Sequence, residues 1–528
     1  PNFSPMWELS DGTRSFAVDD MTDEDYVILS SLDLVSLPVA LAVRVADLLW
    51  FKCKNRDAAQ FSIDNYYKLY LSSFDYDNWL DCVDYIKRAV TFTQKLNDST
   101  NRDKYIKDLF DKLIVGNGND KRYFSITVAE FLIEQNCVDL KPIIPIMDNI
   151  IAQSDVRKSE RAFEIKKKIY KNLKDNEMLK NTNSEHAEYL VSISNTIQND
   201  NFLDLSQAEQ CLTKAIKFYR NGDNKEAADD AHRKLLDVQK RKEQIMPWAT
   251  QKFDVTDFYN HTKDCFEGLS FEEHIIRMAD FLLFFSKEEL RNSVYDERFL
   301  SRRFFSNNIV DQNGRTICEI PALDDNSNAE NEKMQMYFEL WRRASIYGDT
   351  LFRWAIELLN ERFEYTEDNL NFIVKDNWII PKGRNRILQM AVYWGLKGDL
   401  YLALHIIAPQ VENLFRSIAI ELGSNMSNID AQGIASDKIL SSIFDDEILN
   451  ECYDENILFT FRSLMNEKAG GNYRNKIAHG IMEENECKNG AVRYLLCATI
   501  KVLLLTSPAV DEIAKSQTKK DIKTGEQA

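Results

Sequence analysis

Apolar residues recur at intervals of three and four over most of this chain, which predicts a mainly α-helical protein. Thr22 followed by Asp25 reads as a capping box with Asp in place of the usual Glu, so the first helix starts there and residues 1–21 form a polar arm. Leu41, Val45, Leu48 and Leu49 mark one apolar helix face, Tyr66, Leu69 and Tyr70 the next, and Val83, Ile86 and Val90 another. Further on, Ala208, Leu212, Ala215, Phe218 and Tyr219 lead into an Asn221-Gly222-Asp223 turn, and Ala227, Ala228, Ala231 and Leu235 follow. Small residues on facing stripes joined by a tight turn suit a tetratricopeptide-type helical hairpin. The period is not clean elsewhere, so residues 22–245 read as a helical, solenoid-like recognition or regulatory region. An irregular helical domain fits the same pattern equally.

The texture changes between 246 and 380. Asn313-Gly314 separates two short β-type runs, Asn308–Val310 and Thr316–Cys318, which predicts a β-hairpin in a connecting segment. Asp324 to Asn331 reads as a loop, and a helical stretch runs from near Lys333 to about Asn360. Residues 381–510 form a helical bundle. Its seam is Leu400, Leu404, Ile407, Val411, Leu414 and Ile418, spaced alternately four and three along one long helix that Pro409 should kink. A loop over Gly423–Ser436, helices over 437–450 and 455–467, a break at Ala469-Gly470-Gly471, a short helix and a last helix over 490–506 complete it, with a polar tail at 511–528.

Composition narrows the function classes. Of 528 residues only 17 are Gly and 10 Pro, few for an all-β chain. The net charge of −18 excludes a chain-wide basic footprint, so contact with nucleic acid has to be local. The best apolar run, Tyr494 to Thr506, is too short to span a bilayer and contains Lys501. With acidic residues where a signal peptide needs Lys or Arg, the chain reads as soluble and cytosolic. Nine widely spaced cysteines without Cys-x-x-Cys, and six histidines with no pair at helical spacing, predict neither a disulfide frame nor a metal site. No cofactor is expected.

The candidate chemistry follows the Gly-Gly break, in Asn472-Tyr473-Arg474-Asn475-Lys476-Ile477-Ala478-His479-Gly480. A helix starting near Asn475 places Asn475 and His479 on one face, about 40° apart. Arg474 then lies in the entering turn, free to swing to the same place. An Arg, an amide and an imidazole at a helix N-terminus suit a phosphodiester. Imidazole exchanges protons near neutral pH, guanidinium grips phosphate bidentately, and the amide orients a hydroxyl. Two basic groups elsewhere stand out: Arg157 to Lys171, with seven basic and two acidic residues, and Lys382 with Arg384 and Arg386. Either can guide an RNA backbone, and a solvated helix face is the more usual meaning of such a run.

Arg-Asn-x-x-x-His-Gly at the end of a helical bundle resembles the signature of a family of uncharacterised domains in the HEPN superfamily. Gly395-Leu396, Gly398-Asp399, Ala403-Leu404-His405, and Pro409 to Asn413 with Arg416 are similar to that family's preceding helix. Arg44, Ala46-Asp47 and Trp50 resemble its bacterial members. The resemblance is specific over about 385–485. It implies a dimerising HEPN-type bundle at 381–510 and a metal-independent endoribonuclease, often a toxin in defence against phage. Arg474, Asn475 and His479 would be the catalytic set, Glu412 and His405 supporting residues, and Lys476, Arg384 and Arg386 RNA contacts. The alternative is a non-catalytic RNA-binding or scaffolding protein whose helical region binds a protein partner. Relatives silenced by nucleotide transfer carry Tyr two residues after the His, where this chain has Ile481.

Overall fold

The structure, a computed structural model, describes residues 7, 13–135, 138–153, 155–197, 200–246, 254–296, 301–311, 313–323 and 328–510. The protein is mainly α, and its strands among the described residues form two antiparallel hairpins. The chain divides into two compact units, Pro1–Met246 and Pro247–Ala528.

In the first unit each helix packs against the one before it in the chain, from Val39–Cys53 through Arg56–Ser73 and Leu80–Lys95 to Phe202–Asn221 and Lys225–Gln244. The Thr22/Asp25 capping box forms, with Thr22 Oγ1 accepting from the Asp25 N–H. Most apolar stripes are buried as their spacing predicts: Val45, Leu49, Tyr66, Tyr70, Val83, Ile86 and Val90 all lie in the core. Leu41 does not: the helix buries the face of Ala42, Val45, Ala46 and Leu49, and Leu41 lies off it, half exposed. The interior also holds charge. Asp47 is fully buried, and Arg88 and the Tyr66 hydroxyl satisfy it, tying three successive helices.

The basic run of Arg157 to Lys171 lies on the Val156–Asn172 helix, and much of it is spent within the unit. Lys166 is buried between Asp148 at 2.7 Å and Glu185 at 3.1 Å, and Arg161 pairs with Glu130. Lys167 is buried against the His186 ring, which is itself stacked between Phe163 and Phe218. Those three cations are neither a solvated face nor a free RNA track. Burial, reinforced by the Lys167 charge, holds the His186 imidazole down at about 3.

In the second unit one continuous core joins side chains from Phe266 to Leu504. The segment expected as a connector contributes three helices, Thr256–Cys265, Phe271–Asp280 and Lys287–Val294, to that core. The first hairpin pairs Asn307–Val310 with Thr316–Ile320. Residues 324–327 of the expected loop lie outside the described residues, and the next helix starts earlier than expected, at Ala329, because Asn328 caps it. That helix, Ala329–Tyr347, continues through a π turn into Arg353–Arg362. It carries a second buried carboxylate, Glu339, with Arg302, Arg342 and Arg343 around it. Burial alone would raise its pKa, but hydrogen bonds from Arg342 and Arg343 hold it at about 2.

The six-residue seam is buried along the single Leu400–Glu421 helix, with Pro409 inside it. That helix packs against Asn385–Leu396 and Gly490–Leu505. Gly490–Leu505, which includes the longest apolar run, is almost wholly buried, and Lys501 ends on the Leu282 carbonyl at 2.7 Å. No helix among the described residues is long and apolar enough to cross a membrane. Residues 423–436 are not simply a loop, since Ser427–Ile429 pairs with Ala435–Asp437. Its turn, Asp430 to Ile434, uses the same hydrogen bonds as Asp311 to Arg315 in the first hairpin. The helix expected over 437–450 is two pieces, Leu440–Phe444 and Glu447–Cys452, because Asp446 caps a fresh start.

Candidate active site

The motif is placed by backbone packing. After the Glu455–Met465 helix the chain doubles back so closely that a Cβ on Gly470 would lie 2.1 Å from the Ser463 carbonyl oxygen. A Cβ on Gly471 would lie 2.5 Å from that of Leu464, so side chains are excluded at both positions. Asn472 takes a left-handed conformation, φ 53°, which Asn tolerates better than most residues. Tyr473 is buried and anchors a six-residue helix, Tyr473–Ala478. The helix ends in a Schellman arrangement. Ile481 N–H donates to Lys476 O and Gly480 N–H to Ile477 O, with Gly480 at φ 65°.

This geometry changes the expected picture. Arg474 is the second residue of the helix, not part of an entering turn. His479 is at the C-terminal end, five residues on, about 140° around the axis if helical. The two do not gather at a helix N-terminus. Asn475 and His479 keep the expected one-turn relation, with His479 N–H donating to Asn475 O at 3.0 Å.

Arg474 instead reaches the long helix. Its Nε donates to Glu412 Oε2 at 2.8 Å, and Arg416 donates to the other oxygen, Oε1, also at 2.8 Å. Glu412 is buried, so one carboxylate aligns two guanidinium groups, a local excess of one positive charge. Arg416 also donates to the Lys438 carbonyl at 2.9 Å, while its buried Nε has no partner among the described residues. Arg474 Nη1 lies 3.4 Å from Asn475 Oδ1, and the Asn475 amide donates to Asn472 Oδ1 at 2.7 Å. Asn475 therefore braces the turn and the arginine, and its amide is already engaged where a substrate hydroxyl was expected.

His479 is exposed, and its ring makes no hydrogen bond or ion pair among the described residues. Lys476 pairs with Glu486 at 2.7 Å, so it is not a free charge in this structure. His405 is packed: its Nδ1 meets the Tyr401 carbonyl at 2.8 Å and its ring lies 4.2 Å from the Tyr401 ring. It is seven residues from Glu412, about 10 Å along the helix, and no hydrogen bond or ion pair joins it to the motif among the described residues. Arg384 and Arg386 are exposed around the start of the Asn385–Leu396 helix, and no hydrogen bond or ion pair links them to the motif either. The structure thus brings together Arg474, Asn475 and Glu412, and leaves His405, Arg384 and Arg386 apart from them.

Two participants were not read as site residues from the sequence, Arg416 and Asn472. The spacing of Glu412 and Arg416, i and i+4 on a helix, was the available signal for the first. As chemistry, the cluster offers a partly exposed guanidinium fixed through Nε, with Nη1 3.4 Å from Asn475 Oδ1, and close by in sequence an imidazole with no hydrogen bond or ion pair among the described residues. Three residues past His479, Met482 lines an open cleft of about 670 Å³ with Tyr401 and Lys488.

Residues 1–104 match a family described as a domain of unknown function, DUF7380. That stretch contains the buried Asp47–Arg88–Tyr66 cluster and lies wholly outside the motif. No curated protein matches the chain. No solved structure matches it.

Proposed function

We propose that the chain is a HEPN-type, metal-independent endoribonuclease serving as a toxin or antiphage effector, with its site at Arg474 and His479. The observation that carries the reading is the Glu412 carboxylate, which holds Arg474 through Nε and leaves for a phosphate an outer fork whose Nη1 has only a long contact, 3.4 Å, to Asn475 Oδ1. Such a fork matches two phosphoryl oxygens and meets the charge that grows in the transition state. An exposed imidazole takes the proton from the 2′-hydroxyl as its oxygen attacks phosphorus. The P–O5′ bond breaks, leaving a 2′,3′-cyclic phosphate and a 5′-hydroxyl. The departing oxygen needs a proton, and no second titratable side chain is hydrogen-bonded or ion-paired to His479 among the described residues. A homodimer through the C-terminal bundle supplies it from the second copy of His479. The first unit is assigned recognition of a protein partner or restraint.

A second reading has its own support. The same Arg474–Glu412–Arg416 bridge is a sound cross-link between the short helix and the long one, as a non-catalytic RNA-binding or scaffolding bundle would need. Incubating mixed RNA with the full chain in excess chelator separates them. Cleavage to cyclic-phosphate ends supports the enzyme, and binding without cleavage supports the scaffold.

A further inference from the structure

Away from the motif, the second unit holds a cavity of about 280 Å³ between the Lys287–Val294, Ala329–Tyr347 and Glu455–Met465 helices. Its floor is apolar, from Met336, Phe444 and Leu458, and two parallel rings, Tyr337 and Phe459, lie 4.7 Å apart in it. Four cations stand on its walls: Lys287, Arg291, Lys333 and Arg462. An apolar floor with a few convergent polar groups is the usual build of a small-molecule site.

Two groups on its walls are available to a ligand. Tyr337 lines the cavity, and its hydroxyl, which is not among the sealed polar atoms, has no protein hydrogen-bond partner among the described residues. That O–H is a donor open to an acceptor on a ligand in the cavity. Burial raises the pKa of this phenol, so it remains a donor at neutral pH. Lys333 is exposed and likewise has no carboxylate partner among the described residues. The other cations are paired: Lys287 with Glu455 at 3.0 Å, Arg291 with Glu332 at 2.8 Å, and Arg462 with Asp445 and Glu467. The first two pairs are solvent-exposed on at least one side and contribute little, so an anion can share their cations cheaply.

We infer that this cavity binds a flat nitrogen heterocycle carrying a phosphate. The ring rests on the Tyr337–Phe459 floor, and its N–H groups face the Glu332 and Glu455 carboxylates. The phosphate accepts from Lys333 and the Tyr337 hydroxyl, with Lys287 and Arg291 flanking. The volume suits one such ring and its phosphate, not an oligonucleotide. Two sources share this chemistry, a nucleoside monophosphate and a phosphorylated pyridine.

The test is isothermal titration of the full chain with adenosine 5′-monophosphate and pyridoxine 5′-phosphate, beside adenosine and inorganic phosphate alone. At least one ring phosphate is expected to bind about tenfold or more tightly than either control, and whichever binds identifies the source. Lys333→Glu and Tyr337→Phe are each expected to weaken it about tenfold, the usual scale for a hydrogen bond to a charged group. Lys333 is on the surface and Tyr337→Phe keeps the ring, so both variants retain the fold. The inference is overturned if neither ring phosphate saturates near millimolar concentration. It is also overturned if inorganic phosphate binds as tightly, or if both variants bind like the parent.

Discussion

Glu412 is the residue on which the geometry of the motif turns. Glu412→Gln keeps its shape but removes the negative charge that two arginines share. The amide oxygen can still accept from one guanidinium, while its NH2 group faces the other and repels it. Breaking a buried ion pair by deleting one partner costs about 3–5 kcal/mol. Arg474 is 30% exposed and recovers part of that from water, so about 2–3 kcal/mol is expected. In a unit of this size that lowers the melting temperature by about 4–12 °C. Cleavage is expected to fall about 10- to 100-fold, because Arg474 loses its orientation. A double-mutant cycle with Arg474→Gln isolates the contact, and its coupling is expected to be about 1–2 kcal/mol. Coupling below about 0.5 kcal/mol, the scale of independent sites, would refute the idea that Glu412 positions Arg474.

Other expectations are more local. Each unit buries a neutral histidine: His186, held at about 3, and His274, held at about 4 by burial with help from the Arg362 charge. Below pH 6.5 the unfolded imidazoles bind protons that the folded ones refuse, so stability is intact above that pH and falls by about 1.4 kcal/mol per unit for each histidine. Urea melts are expected to show a loss of about 2 kcal/mol per histidine between pH 7.5 and 5, and a flat profile would contradict this burial. Gly470→Ala drives a Cβ into the Ser463 carbonyl and is expected to cost about 3 kcal/mol, whereas Gly480→Ala meets no atom within 4 Å and pays only left-handed strain, about 1 kcal/mol. Equal melting temperatures for the two would show that the close approach is not real.

The elements that were legible in the sequence are those written in local periodicity. The Leu400–Ile418 stripe, the Asn313-Gly314 hairpin and the Thr22 cap depend on neighbours a few residues away, and the structure contains each of them. The second hairpin was written in the same way, as Asp430-x-x-Gly433 beside Asp311-x-x-Gly314, but without an Asn-Gly pair it read as a loop. The ties that define the candidate site are of another kind. Glu412 with Arg474, Lys476 with Glu486 and Asp47 with Arg88 join residues that only tertiary packing brings together. Periodicity says nothing of such pairs, so Lys476 and the basic run read as free charge when they are engaged. The position of His479 at the helix end followed from the Gly480 cap, whose left-handed turn fixes where six residues of helix must stop.

The most direct test compares cleavage rate and melting temperature for His479→Ala against the parent chain, on mixed RNA in chelator. His479 is exposed and makes no side-chain hydrogen bond or ion pair among the described residues, so the variant is expected to melt within about 1 °C of the parent. Losing the proton-transfer group is expected to cut cleavage by about two orders of magnitude or more. Arg474→Lys is expected to lose comparable activity, since an ammonium cannot present the planar fork. A folded His479→Ala chain that cuts RNA at the parent rate would contradict the account and leave the motif a structural cross-link.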